Sequence, residues 1–250
     1  MDRPFERRTA ARTAVVWDAV RALLEGSGEL QVLDIGGGTG GFAVRVAAQG
    51  NRVTVIDPSP DALAGLTRRA DEEGVADRVT GLQGDLGNLR ELAPEKGADL
   101  VLCHGVLGLV DDPAGALDAI VSVLRPDGAL SLLVSQRHAA VLARAMAGHF
   151  TQAKALLDAE PEHRSGEAKA IEHRAGEHRF TVEELTGLLA GAGLDIRSNH
   201  GIRVFTDLVP SSLLDLEPGA SAALLELERA VSERPEFLTL ASQLHIVAMR

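Results

Sequence analysis

Short apolar runs alternate with amphipathic stretches through the first half of the chain. Five runs rich in β-favouring residues predict buried strands, near Val32 to Ile35, Arg52 to Ile56, Arg78 to Leu82, Ala98 to Cys103 and Ala129 to Ser135. Apolar residues at helical spacing predict helices between them, over Phe42 to Ala48, Asp61 to Glu73 and Pro113 to Leu124. Strands that alternate with helices form parallel sheets, because each crossover helix returns the chain to the same edge. The pattern therefore predicts an α/β fold.

Further elements are expected before and after this core. Apolar residues at helical spacing predict an N-terminal helix from Thr9 to Glu25. After the fifth strand, the composition changes and predicts an insertion, with a helix pair from Leu142 to Leu157 and a polar stretch from Asp158 to Arg179. We expect this insertion to cover one side of the ligand site.

The last part of the chain predicts a helix and a closing pair of strands. Thr181, with Glu184 three residues later, is a capping-box signature that opens a helix through Leu189. A Leu- and Glu-rich helix from Ser221 to Val231 then separates two strand-like segments, Leu194 to Phe205 and Leu238 to Met249. This order suggests an antiparallel hairpin that closes the sheet. We expect one domain over 1–250, with an N-terminal helix in 9–28, a ligand-binding core in 30–135, the insertion in 136–180 and a sheet-closing part in 181–250.

A glycine-rich turn, DIGGGTGG, follows the first strand. Gly36, Gly38 and Gly41 satisfy the G-x-G-x-x-G pattern of dinucleotide-binding proteins. Gly36, Gly38 and Gly40, with Asp34 before them, satisfy D-x-G-x-G-x-G, which resembles the first motif of the class I S-adenosylmethionine (SAM) methyltransferases. The glycine spacing alone leaves both possibilities open.

Acidic residues follow the next two strands, and they can accept hydrogen bonds from a ligand at this edge of the sheet. Asp57 lies roughly 20 residues beyond the first glycine, where an acidic side chain accepts hydrogen bonds from ribose hydroxyls in either family. Its alternative role is a helix cap before Pro58. Asp85 follows the third strand, where the methyltransferases hold adenine, although a turn-forming Asp beside glycine is the alternative. The R-P-x-G turn from Arg125 to Gly128 favours the methyltransferase pattern, since the dinucleotide fingerprint has no counterpart to it.

Composition and charge limit the binding partners that we expect for this chain. The 250 residues include 25 Lys and Arg against 36 Asp and Glu, and the net charge of −11 opposes non-specific attraction to nucleic-acid phosphates. We therefore expect no DNA partner, and any tRNA contact to be local. The N-terminus lacks a continuous apolar run and a cleavage site, so we expect a cytoplasmic protein without a membrane span.

We expect no metal site. Cys103 is the single cysteine, which excludes a cysteine-based cluster within the chain. The insertion contains a group of histidines and glutamates whose spacing matches no metal template, namely His163, Glu172, His173, Glu177 and His178. A solvated surface is the simpler interpretation of these residues.

The whole chain resembles one subgroup of the class I methyltransferases, the bacterial tRNA 5-carboxymethoxyuridine methyltransferases. The resemblance rests on five blocks, VLDIGGGTG at 32–40, HGVLGLVDDP at 104–113, SVLRPDGALSLL at 122–133, GIRVFTDL at 201–208 and ALLELE at 223–228. It implies a Rossmann-like fold with a seven-stranded, mostly parallel sheet whose last strand is antiparallel. It also implies SAM as the cofactor and a modified wobble uridine as the methyl acceptor.

The resemblance assigns roles to individual residues. Arg12 would reach the methionine carboxylate of SAM, and His104 would lie near the sulfonium. The remaining residues of the implied cofactor-binding set are Asp34, Gly36, Gly37 and Gly38 near the methionyl part, Asp57 at the ribose, and Asp85 and Leu86 at the adenine. Taken alone, Arg12 is equally compatible with a solvated helix residue and His104 with a strand-end histidine.

The acceptor side is less defined. A carboxylate is already ionised at neutral pH, whereas a hydroxyl or an amine needs a proton removed, and no His-Asp pair stands at recognisable spacing. Arg203 is a candidate for holding an acceptor carboxylate, and a solvated position on an edge strand is its alternative. His104 is the other acceptor-side candidate, and we expect the insertion in 136–180 to cover the acceptor side. The subgroup has a lysine-rich run in the insertion that this chain lacks, so the acceptor is either tRNA or a small carboxylate-bearing molecule. Two weaker alternatives are an NAD-dependent oxidoreductase and a SAM-binding module without catalysis, and the oligomeric state stays open.

Overall fold

Seven strands form a single sheet in the structure, a computed structural model that describes residues 4–158, 178–214 and 219–250, without the side chains of 4–12 and 211–212. The strands are β1 Gln31–Ile35, β2 Arg52–Asp57, β3 Val79–Gln83, β4 Ala98–His104, β5 Leu124–Ser135, β6 Asp195–Ile202 and β7 Gln243–Met249. Their order across the sheet is β3-β2-β1-β4-β5-β7-β6. The first five strands are parallel, and β7 is antiparallel to both of its neighbours. This confirms the expected fold class.

The helices cover both faces of the sheet. They are α1 Pro4–Leu24, α2 Ala43–Ala48, α3 Pro60–Glu72, α4 Leu89–Leu92, α5 Pro113–Val123, α6 Arg137–Met146, α7 Phe150–Leu157, α8 Val182–Gly191, α9 Ser211–Leu214, α10 Ala220–Val231 and α11 Pro235–Leu238. Short 3₁₀ turns occur at Leu86–Asn88 and Leu107–Leu109. Successive strand residues point to opposite faces, so Leu33 and Val101 pack with α5 and α8, while Val32 and Leu100 pack with α1, α2 and α3. The result is a three-layer sandwich with a core on each side of the sheet.

The chain direction places the candidate residues at one edge. β1 is paired with β2 on one side and with β4 on the other, so the strand order reverses at β1. Ligands of open α/β sheets bind at such a reversal, outside the carboxyl ends of the strands. Because β6 and β5 are each antiparallel to β7, the end of β6 lies at this same edge.

Several element boundaries differ from the sequence expectations, and three of these differences concern the strands β5, β6 and β7. The N-terminal helix also begins earlier, at Pro4, and the first helix of the insertion at Arg137. β6 ends at Ile202 instead of Phe205, because Arg203 adopts a left-handed φ of 61° that a strand does not accommodate. β5 begins at Leu124, so the R-P-x-G turn lies inside its irregular first residues, where the pairing with β4 shifts register. The last strand begins at Gln243, since Pro235 starts the short helix α11 within the preceding segment.

Other expectations are confirmed at the level of local geometry. The backbone N–H of Glu184 donates to Thr181 Oγ1 at 3.2 Å, and the backbone N–H of Thr181 donates to Glu184 Oε2 at 2.8 Å, which is the predicted capping box of α8. The expected helix pair of the insertion is α6 and α7. Residues 159–177, which include His163, Glu172, His173 and Glu177, lie outside the part of the chain that the structure describes.

Candidate active site

The glycine turn joins β1 to α2 at the carboxyl edge of the sheet. The backbone N–H of Gly36 donates to the carbonyl of Ile56 at 2.7 Å, and the backbone N–H of Gly40 donates to the carbonyl of Gly37 at 2.9 Å. Gly36, Gly38 and Gly40 have φ angles of 67°, 56° and 80°, in the left-handed region that glycine adopts without strain. The three glycines of D-x-G-x-G-x-G are therefore the ones that the backbone requires.

Packing distinguishes the two glycine patterns further. A Cβ added at Gly40 would lie 2.3 Å from Leu66 Cδ1, and one at Gly36 would lie 2.3 Å from Val106 Cγ2. At Gly41, the last glycine of the dinucleotide pattern, the nearest atom would be Arg69 Nη1 at 3.9 Å, an ordinary contact. The geometry of the turn thus follows the methyltransferase pattern.

Asp34 lies beneath this turn with its side chain 3% exposed. Its Oδ2 is buried without a hydrogen-bond partner, and a Cβ added at Gly37 would lie 2.5 Å from that oxygen. Burial, and secondarily the charge of Asp57, raises the pKa of Asp34 to about 7. A buried acidic group without a partner favours a ligand that brings a positive charge close to the turn.

Asp57 ends β2 beside the turn. Its Oδ2 accepts from the backbone N–H of Gly38 at 2.9 Å, and its Oδ1 accepts from the backbone N–H of Ser59 at 2.9 Å. The cap of α3 is Ser59, whose Oγ accepts from the backbone N–H of Ala62 at 3.2 Å, so Asp57 is not the helix cap. Each carboxylate oxygen keeps a further lone pair, which fits the expected contact with ribose hydroxyls.

Asp85 and Leu86 follow β3 at the same edge. The backbone N–H of Gly87 donates to Asp85 Oδ1 at 2.8 Å, so this carboxylate caps the 3₁₀ turn that begins at Leu86. The turn-forming role considered for Asp85 is therefore present. As the first residue of the turn, Leu86 has a backbone N–H that finds no acceptor within it, and this donor suits a ring nitrogen of adenine.

His104 ends β4, next to the glycine turn. Its ring contacts the ring of Phe42 edge-to-face, with 4.8 Å between centroids, and Phe42 lies 6.2 Å from Trp17 of α1. His104 Nε2 is 2.9 Å from Ser131 Oγ, whereas Nδ1 is buried without a hydrogen-bond partner. Burial lowers the pKa of His104 to about 4, because the imidazolium would lose its hydration. The imidazole is therefore neutral at physiological pH.

The two candidate arginines have different positions. Arg12 lies on α1, and its side chain is outside the described residues. Arg203 follows β6, and its Nε and Nη2 donate to Asp207 Oδ1 at 3.1 and 2.6 Å. Arg203 is thus already paired at the carboxyl edge of the sheet.

These residues fit SAM. At Gly36, Gly37 and Gly40 the turn leaves no room for a Cβ, and without side chains there a ligand can approach the backbone closely. Asp57, Asp85 and Leu86 supply partners for hydroxyl and amino groups and for a ring nitrogen, and the buried Asp34 favours a cation. The described residues contain no helix long and apolar enough to cross a membrane, and no group of side chains in that part of the chain could hold a metal ion.

Three polar residues near His104 were missed by sequence reasoning. Ser131, His200 and His245 are buried within strands, and they continue the hydrogen bonding of His104 across the sheet. The available signal was a single polar residue inside an apolar strand, as in ALSLL and QLHIVAM. That signal does not identify partners, because strand order is a property of the tertiary structure.

Comparisons with known proteins agree with this site. Residues 33–130 match a family model described as a methyltransferase domain. A S-adenosylmethionine dependent methyltransferase from Mesorhizobium loti superimposes with a TM-score of 0.62, covering 96% of this chain and 100% of that chain at 21% identity. The ubiquinone biosynthesis O-methyltransferase of Xanthomonas axonopodis is 33% identical over 131 residues, which cover 52% of either chain.

A further relative matches nearly the whole chain. The tRNA 5-carboxymethoxyuridine methyltransferase of Escherichia coli is 30% identical over 241 residues, which cover 96% of this chain and 88% of that protein. This similarity extends well beyond residues 33–130, and it shows that the chain belongs to the class I S-adenosylmethionine-dependent methyltransferases.

Proposed function

We propose that this enzyme transfers the methyl group of SAM to the carboxylate of a modified wobble uridine in tRNA, as the name of the Escherichia coli relative describes for that protein. The observation that supports this most is the extent of the similarity. It includes the insertion and the sheet-closing part, which lie outside the matched residues 33–130 and which we place around the acceptor. If the two proteins shared only the way in which they bind SAM, similarity in these parts of the chain would not be required.

Methyl transfer to a carboxylate requires no proton removal by the protein. SAM supplies a methyl group on a sulfonium, which is already an activated leaving group, so the protein mainly aligns the reactants and excludes water. A carboxylate needs no base, because it is ionised at neutral pH.

The insertion has contacts that support its position over the acceptor. The backbone N–H of His178, just after the undescribed stretch, donates to the carbonyl of Gly108 at 2.7 Å. Gly108 belongs to the 3₁₀ turn after β4, beside His104. Leu109 in this turn is 69% exposed, which offers an apolar surface for a base or another flat group.

Arg203 is our candidate for binding the acceptor carboxylate. Its guanidinium is held by Asp207, so binding requires that the acceptor carboxylate compete with Asp207 or share the five N–H donors. Arg203→Ala is expected to raise the acceptor KM about 10- to 100-fold, since a charged hydrogen-bonded contact contributes about 1.5–3 kcal/mol. SAM affinity should change little.

Two control variants separate recognition from local structure. Asp207→Asn breaks the same ion pair but leaves Arg203 available, so the acceptor KM should stay equal or fall. Arg197→Ala removes an exposed arginine from β6, the strand before Arg203, and should leave both KM values unchanged. Equal increases of the acceptor KM in Arg203→Ala and Asp207→Asn would reject this role for Arg203.

The acceptor itself is tested by nucleoside analysis. Mass spectrometry of tRNA nucleosides from cells with and without this protein should show loss of the carboxylate methyl ester and accumulation of the free acid. Purified protein with SAM should restore the ester on the deficient tRNA. Unchanged nucleoside profiles would reject tRNA as the acceptor.

A small carboxylate-bearing acceptor is the second candidate. The net charge of −11 and the absence of a lysine-rich run in the insertion favour it, because a tRNA-binding surface normally attracts phosphates. Methyl transfer to small carboxylic acids, together with unchanged tRNA profiles, would identify this alternative.

A further inference from the structure

A continuous chain of polar side chains crosses four neighbouring strands, from the candidate active site to the protein surface. His104 Nε2 lies 2.9 Å from Ser131 Oγ, and Ser131 Oγ lies 2.8 Å from His245 Nε2. His245 Nδ1 lies 3.2 Å from His200 Nδ1, and His200 Nε2 lies 3.5 Å from Glu233 Oε1. We call these five residues the polar chain. It connects β4, β5, β7 and β6 in the order in which they lie in the sheet.

The middle of the polar chain is shielded from water and its end is open to it. Ser131 and His245 are 0% exposed and His200 is 6% exposed, whereas the side chain of Glu233 is 77% exposed. Burial lowers the pKa of His245 and of His200, because an imidazolium inside the sheet loses its hydration. Both rings are therefore neutral at physiological pH, and each has one N–H donor and one nitrogen acceptor.

The carboxylate at the surface gives the hydrogen bonds one direction. An ionised Glu233 can only accept, and its Oε1 lies 3.5 Å from His200 Nε2, which favours the tautomer of His200 with the proton on Nε2 and the lone pair on Nδ1. His245 then donates from Nδ1 and accepts at Nε2 from the Ser131 hydroxyl. Ser131 Oγ accepts from His104 Nε2, which leaves the lone pair of His104 on Nδ1, the buried atom that has no hydrogen-bond partner. The direction thus ends in an unpartnered proton acceptor on His104, at the carboxyl end of β4.

We propose that His104 is a general base for methyl transfer to a hydroxyl acceptor, and that the polar chain conducts the released proton to the surface. This activity goes beyond the proposed function, because a carboxylate acceptor arrives ionised and releases no proton. A hydroxyl acceptor of phenolic or enolic type fits best, since its oxygen loses the proton readily.

The proton balance of this step is complete. As the acceptor oxygen bonds to the methyl carbon, the carbon–sulfur bond breaks with its electron pair leaving on sulfur, and the hydroxyl proton passes to His104 Nδ1. His104 then gives its Nε2 proton to Ser131, which gives its own proton to His245 Nε2. His245 gives its Nδ1 proton to His200, and the Nε2 proton of His200 leaves through Glu233. One proton enters the polar chain and one leaves it.

A weak base is sufficient for this reaction. A hydroxyl oxygen that is acquiring a methyl group becomes strongly acidic, so the proton moves to an acceptor of low basicity as the new bond forms. Neutral His104 keeps its lone pair available throughout the physiological pH range. The other members act through His104, so they are positioning residues.

The first test requires no substrate. Long-range ¹⁵N–¹H spectra of histidine-labelled protein report which nitrogen of each ring carries the proton. We expect Nε2–H for His104 and His200, and Nδ1–H for His245. Glu233→Ala should populate the opposite tautomers, whereas Glu236→Ala, on the same exposed surface, should not. The opposite tautomers in the unmodified protein, or no response to Glu233→Ala, would overturn the proposal.

The second test measures methyl transfer from SAM to two hydroxyl probes, 5-hydroxyuridine and catechol. The unmodified protein should methylate at least one of them. Ser131→Ala interrupts the polar chain and should lower kcat about 100-fold without raising the KM for SAM, and Ser131→Thr should restore activity because it keeps a hydroxyl. No transfer to either probe, or a change of less than about twofold in Ser131→Ala, would overturn the proposal. Neither result depends on whether a tRNA carboxylate is methylated.

Discussion

Replacing Asp34 with asparagine is expected to stabilise the ligand-free protein above neutral pH. The buried carboxyl of Asp34 has an unpartnered Oδ2, and its pKa is raised from 3.8 to about 7. The unfolded chain ionises this group near its ordinary pKa, whereas the folded protein retains the proton until about pH 7. Ionisation therefore costs folding free energy, and an asparagine of the same shape removes that cost.

The sign and the size of the expected change in unfolding free energy follow from this pKa difference. Between pH 3.8 and about 7 the folded protein binds one more proton than the unfolded chain, so the stability of the unmodified protein falls as the pH rises through this range. The full difference corresponds to an upper bound of about 4 kcal/mol above pH 7. About half of it is already present at about pH 5.5, so the advantage of Asp34→Asn should grow by about 2 kcal/mol from there to about pH 8.5.

Urea unfolding of both proteins across this pH range measures the effect. Asp61→Asn, which removes an exposed carboxylate from the first turn of α3, is the matched control. A free-energy advantage of Asp34→Asn that stays constant with pH would refute the raised pKa. Thermal shifts add a functional readout: SAM should stabilise the unmodified protein more than the variant at about pH 8.5, because only the carboxylate can partner a cationic ligand.

Two further substitutions test the turn and the support of the segment after β6. Gly36→Ala combines a left-handed φ of 67° with a Cβ 2.3 Å from Val106, whereas Gly50→Ala has a φ of 92° and no atom within 4 Å. In urea unfolding, Gly36→Ala should lose about 1–3 kcal/mol more than Gly50→Ala, and it should also lose SAM binding. Glu228, which is 3% exposed, accepts three backbone N–H groups and one hydroxyl from that segment. Glu228→Gln should therefore cost about 3 kcal/mol of unfolding free energy, and Glu226→Gln, 80% exposed, much less.

Each of these substitutions has a contradicting outcome. Equal losses in Gly36→Ala and Gly50→Ala would show that backbone strain alone decides the effect and that the close packing of the turn contributes nothing. An unfolding free energy of Glu228→Gln close to that of Glu226→Gln would show that the carboxylate does not organise the segment after β6.

The local elements of the SAM-binding half were predictable because their signals are local. Apolar strands, helical periodicity and the glycine spacing report backbone preferences that neighbouring residues impose on each other. Thr181 and Glu184 formed the predicted capping box for the same reason. Predictions failed at Arg203, whose left-handed backbone ends β6 early, because no neighbouring residue signals that conformation.

The sequence by itself determined the fold class, the glycine turn after the first strand and the acidic residues that follow the next two strands. Only the tertiary structure decided which glycines the turn requires, why the carboxyl of Asp34 holds its proton, and that Arg203 is paired with Asp207. It also decided that His104 connects to Glu233 through residues from three other strands. The physical reason is that the order of strands in a sheet brings together groups that lie far apart along the chain. Their protonation then depends on how deeply they are buried and on which charged groups lie beside them.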